Sequence, residues 1–268
     1  MKSRELALLG SGLLWITAAS AAQAYPGGTP SYQTDVAPFC AACHSSVDEA
    51  ALAGARERAA KEVVEKKHLA TILAGLRGYG ELSEADRATL VEHIRAIDAN
   101  SKIEMEFPPQ VAPGETFQVK VNVTGGAGPV VGVGLVDRAH RWYARPASSA
   151  GWIMGGAPTV IGSDGQPQSA WISKRPEAVG RNITFVNVTG IESDAAAGSW
   201  AKAKIIYTLK APDKPGDYPL VGVYFYGTEK ASPLGYTTSP LGQKQVRGGG
   251  SSASGRVKFT EEFVITVK

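Results

Sequence analysis

The sequence predicts an α + β multidomain protein, in which a short helical region precedes an antiparallel β-sandwich. Residues 47–99 are rich in Ala, Glu, Leu, Lys and Arg and contain no Pro, which is typical of helices. After residue 102, Pro, Gly, Thr, Val and aromatic residues occur in short runs that alternate apolar and polar positions. We therefore predict an export signal over 1–24, a helical domain over 25–101 and a β domain over 102–268.

The first 24 residues are typical of a signal peptide. Lys2 and Arg4 form a basic start, an apolar stretch covers 6–22, and Ala22-Gln23-Ala24 has the small-x-small pattern of a cleavage site. An uncleaved membrane anchor is the alternative, but Gly and Ser interrupt the stretch, and a spanning helix needs about 20 apolar residues. We predict cleavage after Ala24, no transmembrane segment in the mature chain, and export to the periplasm or the cell exterior.

The helical region is predicted to end in an amphipathic helix. Ser83 precedes Glu84-Ala85-Asp86, a capping-box pattern that favours a helix start. Leu90, Ile94 and Ile97 then follow at helical spacing, so the helix should bury one face and end near Asn100. An earlier helix is predicted over 48–67.

The second region is predicted to form short strands joined by tight turns. Phe117, Val119 and Val121 alternate with polar residues, and Gly125-Gly126 predicts the turn that ends this strand. The full set of predicted strands is 103–107, 117–123, 129–136, 182–189, 201–209, 218–226 and 257–267. Strands of this number and length favour an antiparallel sandwich, with the Gly/Ser-rich stretch 247–256 as a loop between strands.

The charge balance gives no support for nucleic-acid binding. The chain has 28 Lys and Arg against 25 Asp and Glu, a net charge of +3, and lacks the clustered basic residues that such binding needs. It has only two Cys, which excludes a scaffold held by several disulfides.

These two Cys form a motif that carries chemistry. Cys40-Ala41-Ala42-Cys43-His44 has the CxxCH spacing of covalent haem attachment. Each thiol can form a thioether to one haem vinyl group, and the adjacent His can supply the proximal iron ligand. One motif predicts one haem c, held by Cys40, Cys43 and His44.

Two other interpretations of the motif remain open. A redox-active CxxC would be expected within a βαβ pattern, which the surrounding sequence lacks. A structural zinc site needs about four ligands, and the fourth would have to come from His68 or His93.

The region around the motif resembles a small monohaem cytochrome c. The resemblance is carried by Asp35–His44 and by Leu82–Ile94, and it covers about 70–75 residues. It implies a small all-α cytochrome c domain with one iron and a role in electron transfer, followed here by the β-sandwich.

The resemblance also implies an axial Met in the loop before the final helix, and this chain departs from that pattern. Residues 75–82 contain no Met. His68 is the favoured sixth ligand, because it lies 24 residues after His44 and before the final helix. His93 and Met105 are weaker alternatives, since one lies at the edge of the apolar stripe and the other in an alternating strand.

An open iron or a Tyr79 ligand is also left possible. Paired His ligands would lower the reduction potential relative to His and Met, and an open position would admit small ligands.

The β region resembles the reeler family of extracellular β-sandwiches. The resemblance is carried by Val130–Leu135, by 182–190 and by the stretch from Trp200 to Ala211-Pro212, without that family's Cys residues. It implies an immunoglobulin-like fold and an interaction role. The Trp and Tyr residues of this region are expected mainly in the core, and the turn-rich stretch 138–175 is the alternative place for a docking surface.

Three functions follow from the sequence. The favoured one is an exported monohaem c-type cytochrome that transfers electrons between redox partner proteins and docks through its β domain; it would be an electron carrier rather than an enzyme. The second is a haem enzyme or small-ligand sensor with an open or displaceable sixth iron position. The third is a haem subunit of a larger periplasmic redox complex.

Overall fold

The computed structural model describes residues 63–139, 144–168, 185–247 and 254–268. In these residues a helical segment precedes three β-sheets, so the coarse prediction of an α + β fold is confirmed. The predicted signal peptide, the Cys40–His44 motif, and residues 248–253 of the predicted loop lie outside the described residues. Within the described ranges, no helix is both long and apolar enough to cross a membrane.

The helical segment contains a π-helical turn, Val63–Leu69, and two α-helices, α1 (Ala70–Leu73) and α2 (Glu84–Asn100). The start of α2 is as predicted, because the Ser83 Oγ accepts a hydrogen bond of 3.1 Å from the Asp86 amide. The predicted apolar face is also confirmed, since Leu90, Ile94 and Ile97 are fully buried. The predicted helix over 48–67 is described only from Val63, where the chain forms the π-helical turn.

The described residues show no separate all-α domain of cytochrome size. The described helical residues begin at Val63, and their apolar side chains meet the β part as well as one another. Leu234 packs against the cluster that contains Ile72, Leu90 and Ile94. Ile97 is buried with Ala127 and Ala231.

The β part contains thirteen strands in the described residues. In chain order they are β1 (Lys102–Glu106), β2 (Gln110–Val111), β3 (Thr116–Thr124), β4 (Ala127–Val136), β5 (Ile153–Met154), β6 (Thr159–Ile161), β7 (Phe185–Thr189), β8 (Lys202–Lys210), β9 (Gly216–Gly227), β10 (Tyr236–Thr238), β11 (Lys244–Val246), β12 (Arg256–Phe259) and β13 (Phe263–Val267). One sheet has the order β1-β3-β8-β5, with β6 also on β8. The other has the order β2-β13-β9-β4-β7, with β12 also on β9, and β10 and β11 form a two-stranded ribbon.

The prediction of purely antiparallel sheets needs one correction, because β2 pairs with β13 in parallel. The predicted first strand ends at Glu106, and the chain then crosses from one large sheet to the other. Pro108 and Pro109 lie at this crossing, and proline cannot donate to a strand ladder. After this crossing, β2 lies beside β13, the last strand, and the two strands run in the same direction.

The predicted last strand, 257–267, is likewise divided into β12 and β13. Both halves pair with the same edge of β9. Between them Thr260 turns out of the ladder, and its Oγ1 accepts a hydrogen bond of 3.0 Å from the Gly222 amide. Thr260 is thus hydrogen-bonded to Gly222 although the strand is interrupted at this position.

The two large sheets share one hydrophobic core. Alternate residues of β3 and β8 are buried, among them Val119, Val121 and Ile205. Across the core the Tyr207 hydroxyl donates a hydrogen bond of 2.9 Å to the Val133 carbonyl oxygen. The interpretation of the aromatic residues as core side chains holds for Trp152, Tyr224 and Tyr226, which are buried in this core; Trp142 and Trp171 lie outside the described residues.

The helical segment meets the β part closely where α2 ends. The predicted Gly125-Gly126 turn lies there, and Gly125 has a φ of +75°. A Cβ at Gly125 would lie 2.7 Å from the Ser101 Cα, so only glycine allows this approach. The Gly126 amide donates a hydrogen bond of 2.8 Å to the Ser101 Oγ.

Candidate functional site: a buried histidine cluster

His68, the favoured sixth ligand, is fully enclosed. It lies in the π-helical turn and is 1% exposed. Its Nε2 lies 2.5 Å from Glu229 Oε1, and its Nδ1 lies 3.0 Å from Arg256 Nη2. Because a guanidinium has no acceptor, Nδ1 must accept, so the ring hydrogen is on Nε2 and is donated to Glu229.

Glu229 is the acceptor at the centre of the site. It lies in a 3₁₀ turn, Glu229–Ala231, and is 1% exposed. Its Oε1 also accepts a hydrogen bond of 2.6 Å from the buried Tyr79 hydroxyl, and its Oε2 accepts one of 2.9 Å from Thr228 Oγ1. Burial raises the pKa of the Glu229 carboxyl, but the His68 ring and the Tyr79 and Thr228 hydroxyls outweigh burial and bring this pKa below its ordinary value.

Arg256 connects His68 to the end of helix α2. It is fully buried at the start of β12, and its Nε donates a hydrogen bond of 2.9 Å to Asp98 Oδ2. The Tyr226 hydroxyl donates to the other Asp98 oxygen at 3.0 Å. We call His68, Tyr79, Asp98, Glu229 and Arg256 the His68 cluster; its residues are 11 to 188 positions apart in the sequence.

The charges around the cluster are balanced by Lys258. Its ammonium donates hydrogen bonds of 2.5 Å to the Asp98 carbonyl oxygen and 2.7 Å to that of Ser101. These are carbonyls of the helix C-terminus, where a positive charge is favourable. Burial lowers the pKa of the Lys258 ammonium, and the nearby Asp98 carboxylate opposes that effect. The carboxylates of Asp98 and Glu229 lie in the same network as the cationic side chains of Arg256 and Lys258.

The loop between α1 and α2, residues 75–82, is held by the β part next to the cluster. Arg247 is 7% exposed, and its guanidinium donates to the Gly78 carbonyl oxygen and, at 3.1 Å, to Glu81 Oε2. Thr237 Oγ1, from the β10–β11 ribbon, donates to the same Glu81 oxygen at 2.8 Å. The hydrogen bond from Thr237, followed by the hydrogen bond and charge of Arg247, lowers the pKa of Glu81. Hydrogen bonds therefore hold this loop against the β part. It is the loop in which the cytochrome resemblance implies an axial Met.

The two weaker ligand candidates lie apart from the His68 cluster. His93 is half-buried on α2, as its place at the edge of the apolar stripe predicts, and its Nδ1 lies 2.8 Å from Ser232 Oγ. Met105 packs against the core of the β part: a Cβ at Gly222 would lie 3.0 Å from the Met105 Sδ. The structure thus brings none of His68, His93 and Met105 together.

The predicted haem-attachment residues, Cys40, Cys43 and His44, lie outside the described residues. Among the described residues, no group of three or more His, Cys, Asp and Glu side chains is placed to hold a metal ion. The sequence singled out His68 but missed Glu229, Arg256 and Asp98 as its partners. No local pattern marks these three, because each lies in a different part of the chain and only the fold brings them together.

Comparison with known proteins adds no family to this picture. No protein-family model matches the chain, and no curated protein sequence matches it. The functional argument therefore rests on the residues, their spacing and their geometry.

Proposed function

We propose that the chain is an exported monohaem c-type cytochrome that acts in electron transfer. The observation that carries the proposal is the sequence Cys40-Ala41-Ala42-Cys43-His44. Two thiols and an imidazole at this spacing match the needs of covalent haem attachment, so Cys40 and Cys43 would form the thioethers and His44 the proximal ligand. The bound iron would supply one-electron chemistry, and the protein would supply attachment, burial and electrostatics.

The export signal supports the same proposal. A covalent bond retains haem outside the cell, and the predicted cleavage after Ala24 leaves the motif near the mature N-terminus. The proposed location is the periplasm or the cell exterior.

For the domain architecture, we propose a cytochrome c-like domain over 25–101 and an immunoglobulin-like β-sandwich over 102–268. The sandwich is supported by the shared core of the two large sheets. The cytochrome domain is supported by the capped amphipathic helix α2 after the motif. The β-sandwich would dock the carrier to a redox partner protein.

A second function is favoured by one specific observation. Both ring nitrogens of His68, the favoured sixth ligand, have partners within the chain. This arrangement favours a displaceable sixth position, which would suit a haem enzyme or small-ligand sensor.

The test is an absorption spectrum of the full chain, produced in cells that have a haem c maturation system. Ferric and ferrous spectra are recorded before and after addition of carbon monoxide. We expect haem that stays with the chain after denaturation, and its loss in a Cys40→Ala/Cys43→Ala variant. A wild-type chain without covalent haem would refute the proposal.

The same spectra separate the two functions. A six-coordinate low-spin spectrum that carbon monoxide leaves unchanged is expected of an electron carrier. A high-spin spectrum, or one shifted by carbon monoxide, is expected of an enzyme or sensor.

A further inference from the structure

The environment of His68 is the wrong one for an iron ligand. A neutral imidazole that binds iron through Nε2 carries its hydrogen on Nδ1, and such a ligand normally donates that hydrogen to an acceptor. Here Nδ1 faces the Arg256 guanidinium, a group that can only donate, at 3.0 Å. The hydrogen on Nε2 instead points at Glu229, 2.5 Å away.

Ligation through either nitrogen would break a charge-assisted hydrogen bond. Binding through Nε2 would displace Glu229, and binding through Nδ1 would displace Arg256. Both partners are at least 99% buried, so each would lose its His68 contact in a place that water does not reach. Their other bonds, from Tyr79 to Glu229 and from Arg256 to Asp98, fix them and prevent them from following the ring.

The backbone gives a second, independent observation. His68 lies in a π-helical turn, Val63–Leu69, a rare conformation that occurs often at functional sites. From this turn the His68 ring contacts Glu229 and Arg256 of the β part.

We propose that Glu229 and Arg256 are positioning residues that hold His68 within the chain, so that His68 is not the sixth ligand of the iron. The inference rests on the proposed haem function and deepens it, because it states which side chain does not fill the sixth position.

The first test measures where the His68 hydrogen lies, and it needs no haem. Mature Cys40→Ala/Cys43→Ala protein is labelled with ¹⁵N-histidine, and the His68 signals are assigned by their loss in a His68→Gln variant. We expect the ¹⁵N shifts and couplings of a ring with a bare Nδ1 and a hydrogen on Nε2. A hydrogen on Nδ1 would overturn the inference.

The second test uses the haem-loaded full chain and the variant His68→Gln. Glutamine offers Arg256 a carbonyl oxygen and Glu229 an amide N–H, so it preserves both hydrogen bonds while removing the imidazole. We expect the variant to keep the wild-type spectrum and reduction potential. His93→Gln is the matched control for loss of a histidine from the same helical segment.

The contrary results are equally clear. A change from low-spin to high-spin iron in His68→Gln alone would identify His68 as the ligand and overturn the inference. A chain that takes up no haem would instead refute the proposed function, and the ¹⁵N result would still decide the position of the His68 hydrogen.

Discussion

At the scale of single residues, Glu229 joins the helical segment to the β part through buried hydrogen bonds. It accepts hydrogen bonds from His68 and Tyr79 of the helical segment and from the neighbouring Thr228. A buried carboxylate is tolerated only when it is satisfied in this way. Its removal would leave the buried Nε2–H of His68 without this acceptor and would take one hydrogen bond each from Tyr79 and Thr228.

We therefore expect Glu229→Ala to lower the free energy of unfolding by about 1–3 kcal/mol, the usual cost of leaving a buried hydrogen-bond donor without its acceptor. Urea unfolding followed by tryptophan fluorescence measures the change. Glu192→Ala is the matched control, because the Glu192 side chain is 67% exposed and its bond to Lys230 lies at the surface. Equal losses in the two variants would contradict the central role of Glu229.

Glu192 provides a prediction on pH. The hydrogen bond of 2.5 Å from Lys230, followed by the charge of Lys230, lowers the pKa of Glu192 in the folded state. A lowered carboxyl pKa stabilises the fold above the ordinary pKa, and this contribution is lost as the pH falls through the folded-state pKa. For an exposed pair the contribution is about 0.2–1 kcal/mol.

We expect Glu192→Gln to be less stable than the wild type at pH 7 by that amount, and we expect this difference to be lost as the pH falls through the folded-state pKa of Glu192. Urea unfolding at pH 7 and over a series of acidic pH values gives the comparison. A difference that persists unchanged in acid would show that the carboxylate charge is not its source.

The residues of the site show where prediction from sequence stops. Ser83, Leu90 and Ile94 could be predicted because helix capping and helical spacing are local properties. His68 could be singled out by its residue type. Glu229 and Arg256 could not, because a carboxylate in a turn and an arginine beside a Gly/Ser-rich stretch are ordinary surface residues until long-range packing buries them.

At the scale of elements, the contact between helix α2 and the β3–β4 turn sets the position of the helical segment. Gly125 and Gly190 both have positive φ, +75° and +69°. Only Gly125 has close neighbours, since a Cβ at Gly190 would meet nothing within 4 Å. Alanine substitutions at the two positions therefore distinguish the cost of a side chain in the left-handed region from the cost of crowding against Ser101.

We expect Gly190→Ala to cost about 1–2 kcal/mol, the penalty of a side chain in the left-handed region. Gly125→Ala should cost about 1–3 kcal/mol more, because its Cβ would collide with Ser101 and force α2 outward. Thermal unfolding of both variants measures the difference. Equal losses of stability in the two variants would mean that the contact between Gly125 and Ser101 adjusts to a methyl group without cost.

Prediction from sequence has the same limit for strands as for single residues. β3 and β8 are long and alternate clearly, and β9 contains a continuous apolar run, so the sequence predicted all three strands to within two residues. β2 and β5 have two residues each, too few for any alternation to be visible. The break between β12 and β13 depends on Gly222 in another strand, which no local pattern reveals.

At the scale of the whole molecule, the helical segment and the β part pack as neighbours with shared clusters. Leu234 belongs with the apolar cluster of the helices, and Ala127 and Ala231 belong with Ile97. The boundary predicted between residues 101 and 102 is thus crossed by apolar contacts as well as by the His68 cluster.

We expect a fragment of residues 102–268 to be much less stable than a fragment of residues 63–268. The shorter fragment exposes Leu234 and leaves Glu229 and Arg256 without His68 and Asp98. The longer fragment keeps these contacts and is the matched control. Urea unfolding of both gives the result, and similar midpoints would show that the helical segment adds nothing to the stability of the β part.

The bond between Arg256 and His68 joins residues that are 188 positions apart. A ribosome delivers His68 long before Arg256, and closing so long a loop is among the slower steps of folding. The π-helical turn can therefore be buried only after β12, which contains Arg256, has been synthesised. For the proposed attachment of haem at Cys40 and Cys43, this delay would leave the helical segment unburied until the last strands have been made.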